Sequence, residues 1–107
     1  MMQGIYLKLF VPEDSRLHGK LLYEWILKQA EHVGISGGSA VRAMAGFGRH
    51  GRLHEQHFFE LAGELPIVLE FFSNGAAIDQ LLSLLDAESC SLFYIKLNAE
   101  SGQTASR

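Results

Sequence analysis

Apolar and polar residues alternate along the first segment of the chain, which is the pattern of a β-strand. The odd-numbered residues of Ile5–Val11 are apolar, whereas Tyr6, Lys8 and Phe10 form the other face. Pro12 ends the strand because proline has no amide proton to donate to a neighbouring strand. The pattern therefore predicts a strand over residues 5–11 with one face in the core.

The next apolar residues recur every three or four positions, which is the spacing of an amphipathic helix. A loop carrying His18, Gly19 and Lys20 precedes this segment. The helix is predicted over residues 21–33, and Gly34 supplies its C-terminal stop. The stripe that faces the core consists of Leu22, Trp25, Ile26, Ala30 and Val33.

A second strand is predicted over residues 39–45, with Ala40, Arg42 and Met44 on one face. Its many small side chains suggest that a helix or a neighbouring subunit lies very close to the sheet. The apolar run at residues 66–72 predicts a third strand, which tolerates proline at its first position. For residues 54–62 the pattern does not decide between a short strand and the returning arm of an extended loop.

Helical spacing returns after Asn74, which is predicted to be the N-cap of a second helix. A last strand is predicted over residues 92–97. The small, polar segment at residues 99–107 is predicted to be a disordered tail, so residues 1–98 form the single domain. The helix stripe consists of Ile78, Leu81, Leu82 and Leu85.

The element order is strand, helix, strand, strand, helix, strand. This order predicts an α+β, ferredoxin-like fold, in which a four-stranded antiparallel sheet has both helices on one face. The other face would also be apolar, and a patch of that kind marks an assembly surface, so we expect an obligate homo-oligomer. The expected residues are Tyr6, Phe10, Met44, Val68 and Phe72, with either Phe93 and Ile95 or Tyr94.

Composition narrows the function classes. The chain has 107 residues and a formal charge of -3, which disfavours a general nucleic-acid binder. Cys90 is the single cysteine, so an intramolecular disulfide is excluded, and the nearby Glu88 is expected to raise the pKa of its thiol. No signal peptide or long apolar span is evident, which predicts a cytoplasmic location.

The glycine-rich connector after the second strand is the main candidate for binding. Its glycines allow positive φ angles and close approach to a ligand, and its arginines supply fixed positive charge for an anion. Arg42, just before the connector, is predicted to form an intersubunit ion pair with Glu70 or to reach a phosphate. Lys20, near a helix start, could contact an anion together with backbone amides. The connector residues of the predicted site are Gly46, Phe47, Gly48, Arg49, Arg52 and His54.

Three histidines in or near the connector offer an alternative, metal-binding function. They are His50, His54 and His57. Without cysteines this spacing is a weak metal pattern, and we rank loop packing ahead of it. No nucleophile elbow or paired-carboxylate setting is visible, so neither an enzyme activity nor a cofactor is predicted.

A set of short motifs follows in unbroken order along the chain. The motifs are Leu9-Phe10, His18-Gly19-Lys20, Leu22-Tyr23-Glu24, Ala30-Glu31, Gly34-Ile35, Gly37, Val41-Arg42, Gly46-Phe47-Gly48, Leu53-His54 and Leu65-Pro66-Ile67-Val68-Leu69-Glu70. Together they resemble the domain of unknown function 190 family, whose members are similar to PII signal-transduction proteins. The resemblance covers roughly residues 7–97, and the combination is specific although each motif alone is weak. The chain departs from the family pattern at Ala40, Ala43 and Ser73.

The resemblance implies a homotrimer with the three sheets facing inward and a long loop after the second strand. It also implies that a small anionic ligand, with an adenine nucleotide among the candidates, binds in clefts between subunits near the base of that loop. The loop would then signal to a partner that is a membrane protein or an enzyme. The alternative is a metal-binding trimer similar to the copper-tolerance proteins of the same fold.

Overall fold

A computed structural model describes residues 1–46 and 65–105. The described residues form two helices and six strands. In chain order these elements are β1 (Met2–Pro12), β2 (Arg16–Leu17), β3 (Lys20–Leu21), α1 (Leu22–His32), β4 (Gly38–Arg42), β5 (Pro66–Ser73), α2 (Gly75–Ala87) and β6 (Phe93–Ser101).

The main sheet has the strand order β4-β5-β1-β6, and every neighbouring pair is antiparallel. Strands β1 and β5 therefore lie at the centre, and β4 and β6 form the two edges. Both helices pack on the same face of this sheet. The predicted α+β, ferredoxin-like fold is confirmed.

The core lies between the helices and one face of the two central strands. Alternate residues of β1 and β5 are buried there, as their period-two patterns require. Each such side chain contributes roughly 1.5–3 kcal/mol when it is removed from water. The buried residues that the two layers share are Leu7, Leu9, Val11, Ile67, Leu69 and Phe71 from the sheet, with Ile26, Ala30, Ile78 and Leu81 from the helices.

The helix ends follow the sequence signals. The Asn74 side chain accepts a hydrogen bond of 2.8 Å from the amide of Ala77, which confirms the predicted N-cap of α2. Gly34 has a φ of +90° just after α1, where an L side chain would be strained, and the amide of Ile35 then donates to the Ala30 carbonyl. The predicted stop at Gly34 is therefore confirmed.

The segment predicted as a loop around His18 is instead a two-stranded hairpin. Strands β2 and β3 pair Arg16 with Leu21 and Leu17 with Lys20. His18 and Gly19 form its tip with φ angles of +53° and +77°. Two-residue strands are too short to carry an alternating pattern, which is why the sequence did not indicate them.

Three strand boundaries also differ from the prediction by three residues or more. Strand β1 begins at Met2 rather than at Ile5. Strand β4 ends at Arg42 rather than at residue 45. Strand β6 continues to Ser101, three residues beyond the predicted domain boundary at residue 98, because its last residues pair with Met2, Gln3 and Gly4 of β1. The polar character of this end suits an edge strand as well as it suits a tail.

The face of the sheet that carries no helix is called the open face below. Residues directly opposite each other in antiparallel strands share a face, so the register assigns each side chain. Phe93, Ile95 and Leu97 lie on the open face, whereas Tyr94 lies on the helix side. Ala40 and Arg42 share one face of β4 as predicted, but this face is the helix side of the sheet, whereas Val41 and Ser39 lie on the open face and Met44 lies outside the strand.

Candidate functional site

The long connector leaves the sheet where β4 and β5 separate. Arg42 pairs with Ile67, and the amide of Ala43 still donates to the Pro66 carbonyl over 3.1 Å. The last paired residues of the two strands therefore clamp both ends of the connector at one edge of the sheet. The geometry gives the base of the connector a fixed position on a rigid element.

Arg42 lies at this base on the helix side of the sheet. Its guanidinium donates a hydrogen bond to the carboxylate of Glu13, which follows the end of β1. This pairing raises the pKa of Arg42 further above its usual value. Glu70 lies on the opposite face of the sheet, so it does not pair with Arg42 within one chain, and the predicted ion pair between subunits stays a prediction.

Lys20 lies on β3, immediately before α1, and lines a groove of about 840 Å³. The groove runs along α1 to the start of β4, and Ile35 and Phe71 provide apolar surface within it. Arg42 is absent from the described lining of this groove. The structure therefore does not bring the two predicted cations together in one described cavity.

The rest of the predicted site is the connector itself. Gly46 is described, has no positive φ, and would leave a Cβ with no heavy atom within 4 Å. It does not use the conformational freedom that the prediction emphasised. The other predicted site residues, Phe47, Gly48, Arg49, Arg52 and His54, lie outside the described residues, as do His50 and His57.

A polar group on the open face was not singled out by the sequence. The Tyr6 hydroxyl donates to the Glu70 carboxylate, and the Lys8 ammonium lies 4.0 Å from the same carboxylate. Desolvation by burial, together with the hydrogen bond and the negative charge of Glu70, raises the pKa of Tyr6 to about 12. The sequence shows one charged residue in each of the two strands, Lys8 and Glu70. Whether these two residues pair depends on the strand register, which the sequence does not show.

Smaller clusters complete the polar surface. His18 Nε2 lies 3.0 Å from Glu88 Oε1, which links the hairpin tip to the end of α2. Burial raises the pKa of the Cys90 thiol and the Glu88 charge adds to the effect, so the predicted direction is confirmed although burial is the larger cause. Residues 1–46 and 65–105 contain no cluster of three or more side chains suited to a metal ion. Neither described helix is long and apolar enough to cross a membrane.

Comparison with known sequences decides the family. The model of the family DUF190, described as "Uncharacterized ACR, COG1993", matches residues 4–89. The chain belongs to the DUF190 family. This DUF190 protein is 32% identical over 76 residues to a UPF0166 protein of Aquifex aeolicus, which covers 71% of this chain and 72% of that protein. It is 29% identical over 85 residues to UPF0166 protein MJ1524 of Methanocaldococcus jannaschii, covering 79% and 78% of the two chains.

Solved structures share the fold of this DUF190 protein. CPII from Thiomonas intermedia K12, bound to ADP, AMP and acetate, superposes with a TM-score of 0.65 and 14% identity over 96% of this chain and 94% of that one. A PII-like signalling protein from Thermus thermophilus gives a TM-score of 0.58 and 18% identity over 92% and 91%. The fold of the chain is therefore that of PII-like proteins.

Proposed function

We propose that this DUF190 protein is a regulatory, non-catalytic protein that binds a small anionic ligand next to the base of the connector. An adenine nucleotide is the leading candidate. The ligand occupies a cleft between subunits of a homotrimer, and its presence changes the conformation of the connector. The connector then controls a partner, either a membrane protein or an enzyme.

The observation that carries the proposal is the position of Arg42. It is a fixed cation at the last paired residue of β4, where the connector begins. Because its side chain is largely exposed and is held by Glu13 alone among the described residues, an anion can compete for it without disturbing the core. A ligand at this position would contact both the rigid sheet and the connector.

The class of ligand is supported by the structural neighbours. CPII from Thiomonas intermedia K12 has been solved with ADP, AMP and bicarbonate as well as with ADP, AMP and acetate. Phosphates suit arginine because the planar guanidinium donates two parallel hydrogen bonds to them. A nucleotide thus fits both the shared fold and the cation at the base of the connector.

The trimer is supported by the open face. Val41, Ile95 and Leu97 are exposed on this face in a single chain. Large exposed apolar patches of this kind mark assembly surfaces. Packing the open faces together would leave the helix side, with Arg42 and Lys20, at the outside of the assembly.

Calorimetric titration of the purified protein with ADP, ATP and AMP tests the binding proposal. Arg42→Ala should weaken the affinity by about 10- to 100-fold, the usual loss for a charge-assisted hydrogen bond of roughly 1.5–3 kcal/mol. Lys20→Ala should weaken it less, because a lysine is a single point charge. No heat of binding for any adenine nucleotide would contradict the proposed ligand class.

Lys28→Ala is the matched control. Lys28 lies on α1, eight residues after Lys20 in the sequence, and it lines the same groove. The variant therefore removes an equal charge farther from the connector. We expect unchanged affinity. If Lys28→Ala and Lys20→Ala weaken binding equally while Arg42→Ala does not, the ligand lies in the groove rather than at the base of the connector.

A further inference from the structure

The central part of the open face is organised in three rows that cross the sheet. Pairing register places one residue from each of the four strands in two of these rows, and one residue from each of β5, β1 and β6 in the third. The two outer rows are apolar apart from the Tyr6 hydroxyl, and the middle row is polar over three of its four positions. The rows are Val41-Val68-Phe10-Phe93, then Ser39-Glu70-Lys8-Ile95, then Phe72-Tyr6-Leu97.

The middle row contains a neutral ion pair. Lys8 and Glu70 are directly opposite each other, and their side chains are 33% and 37% exposed. Tyr6 donates to Glu70 from the neighbouring row. On the described strands these three are the titratable side chains of the open face. Ser39, Glu70 and Lys8 are called the polar stripe below.

The charge pattern of the open face is self-complementary. The polar stripe carries one positive and one negative group, so a second copy of the same face can meet each charge with its opposite. It can do so in one register only. A slip by one row, about 7 Å along the strands, would place Lys8 and Glu70 of one copy against the apolar rows of the next. Burying this ion pair against apolar side chains is costly, because the desolvation penalty can exceed the attraction within the pair when no further polar partners are gained, whereas apolar rows alone would tolerate such a slip.

We propose that the polar stripe fixes the register in which copies of this chain pack their open faces together. The inference rests on the assembly proposed above and adds the residues that specify it. The apolar rows supply the attraction, and the stripe excludes the shifted arrangements. A polar group that selects one arrangement at some cost in stability has precedent in coiled coils, where one buried asparagine sets the register.

Sedimentation analysis of single variants tests whether the polar stripe is buried in the assembly. Lys8→Met leaves Glu70 without its cation, so association at neutral pH should weaken by at least about ten-fold. Lys96→Met, on the helix side of β6, is the control and should associate like the wild type.

Two further variants test the register itself. The charge exchange Lys8→Glu with Glu70→Lys keeps one charge of each sign and should restore association, which shows that Lys8→Met failed through charge and not through misfolding. The apolar variant Lys8→Met, Glu70→Met, Tyr6→Phe should associate at least as tightly as the wild type but in more than one size.

The inference is overturned if Lys8→Met associates like the wild type at neutral pH, or if the apolar variant forms a single species of wild-type size. It is also overturned if the charge exchange remains unassociated. A wild-type protein that is monomeric would overturn the proposed trimer and the role of the polar stripe together. An assembled wild type with unaffected variants would overturn the role of the stripe alone.

Discussion

Gly38 shows how one missing side chain shapes this fold. A Cβ at this position would lie 2.5 Å from two ring carbons of Phe71, whose side chain is 2% exposed and cannot move away easily. Gly38→Ala should therefore lower the free energy of unfolding by about 1–3 kcal/mol, the usual cost of overpacking a core. Chemical denaturation measures the difference.

The adjacent glycine provides the control for that experiment. A Cβ at Gly37 would have no heavy atom within 4 Å, so Gly37→Ala should change the free energy of unfolding by no more than about 0.5 kcal/mol. Equal effects of the two substitutions would show that backbone freedom, and not the Phe71 ring, accounts for the glycine at position 38.

Tyr6 gives a pH-dependent prediction. Its pKa is raised to about 12 in the folded protein, against about 10 in an unfolded chain, so folding favours the protonated phenol. The resulting stabilisation is fully present below about pH 10 and is lost as the pH rises through about 12. Thermal unfolding of wild type and Tyr6→Phe should show a stability gap that shrinks across this window. A gap that stays constant to the upper end of the window would contradict the raised pKa.

At the residue scale, local signals were predicted well and cross-strand contacts were not. The Asn74 cap and the Gly34 stop depend on neighbours within a few positions, so the sequence contains them. The close approach at Gly38 and the Tyr6–Glu70 hydrogen bond join residues of different strands. They depend on register, which a single sequence does not specify.

At the element scale, the sequence predicted correctly the existence of the strands that have one buried face. Strand β1 alternates in sequence because one of its faces meets the helices, whereas β5 was recognised from its continuous apolar run. All five residues of β4 are exposed, so burial gave no signal for which of its two faces meets the helix side, and that assignment was wrong. The small residues of β4 were expected to allow a close neighbour; α1 approaches the strand, yet all five residues remain exposed in a single chain.

The end of β6 supplies a prediction at this scale. Ala99, Glu100 and Ser101 pair with the first residues of β1, so ending the chain after residue 98 removes three paired positions. This truncation should lower the melting temperature by several degrees, since about 1 kcal/mol corresponds to roughly 4–8 °C in a domain of this size.

A second truncated protein, which keeps more of the chain, separates the loss of strand pairing from the effect of shortening the chain. Ending the chain after Gly102 keeps all of β6 and should leave the melting temperature unchanged. Equal melting temperatures for the two truncated proteins would mean that the last strand residues contribute no stability, as the sequence-based prediction of a disordered tail had it.

At the scale of the whole molecule, patterning predicted an apolar open face, but it could not place the charges within that face. Lys8 and Glu70 appear in the sequence as isolated polar residues of two distant strands. The sheet order makes them neighbours and surrounds them with apolar rows. The predicted binding region can be compared with the structure only in part. The structure describes Arg42 and Lys20, but most of the predicted connector residues lie outside the described residues.

The proposed assembly can be tested with two substitutions on one strand. Leu97 and Tyr94 both lie on β6 and are 49% and 45% exposed, but they point to opposite faces of the sheet. Leu97→Asp would put an unpaired carboxylate into the packed open faces, where its desolvation is costly, and should convert the trimer to monomers. Tyr94→Asp adds the same charge on the helix side and should leave the trimer intact. Light scattering coupled to gel filtration gives the mass of each variant. A Leu97→Asp trimer would place the open face outside the interface, whereas monomers from both variants would place the edge of β6 within it.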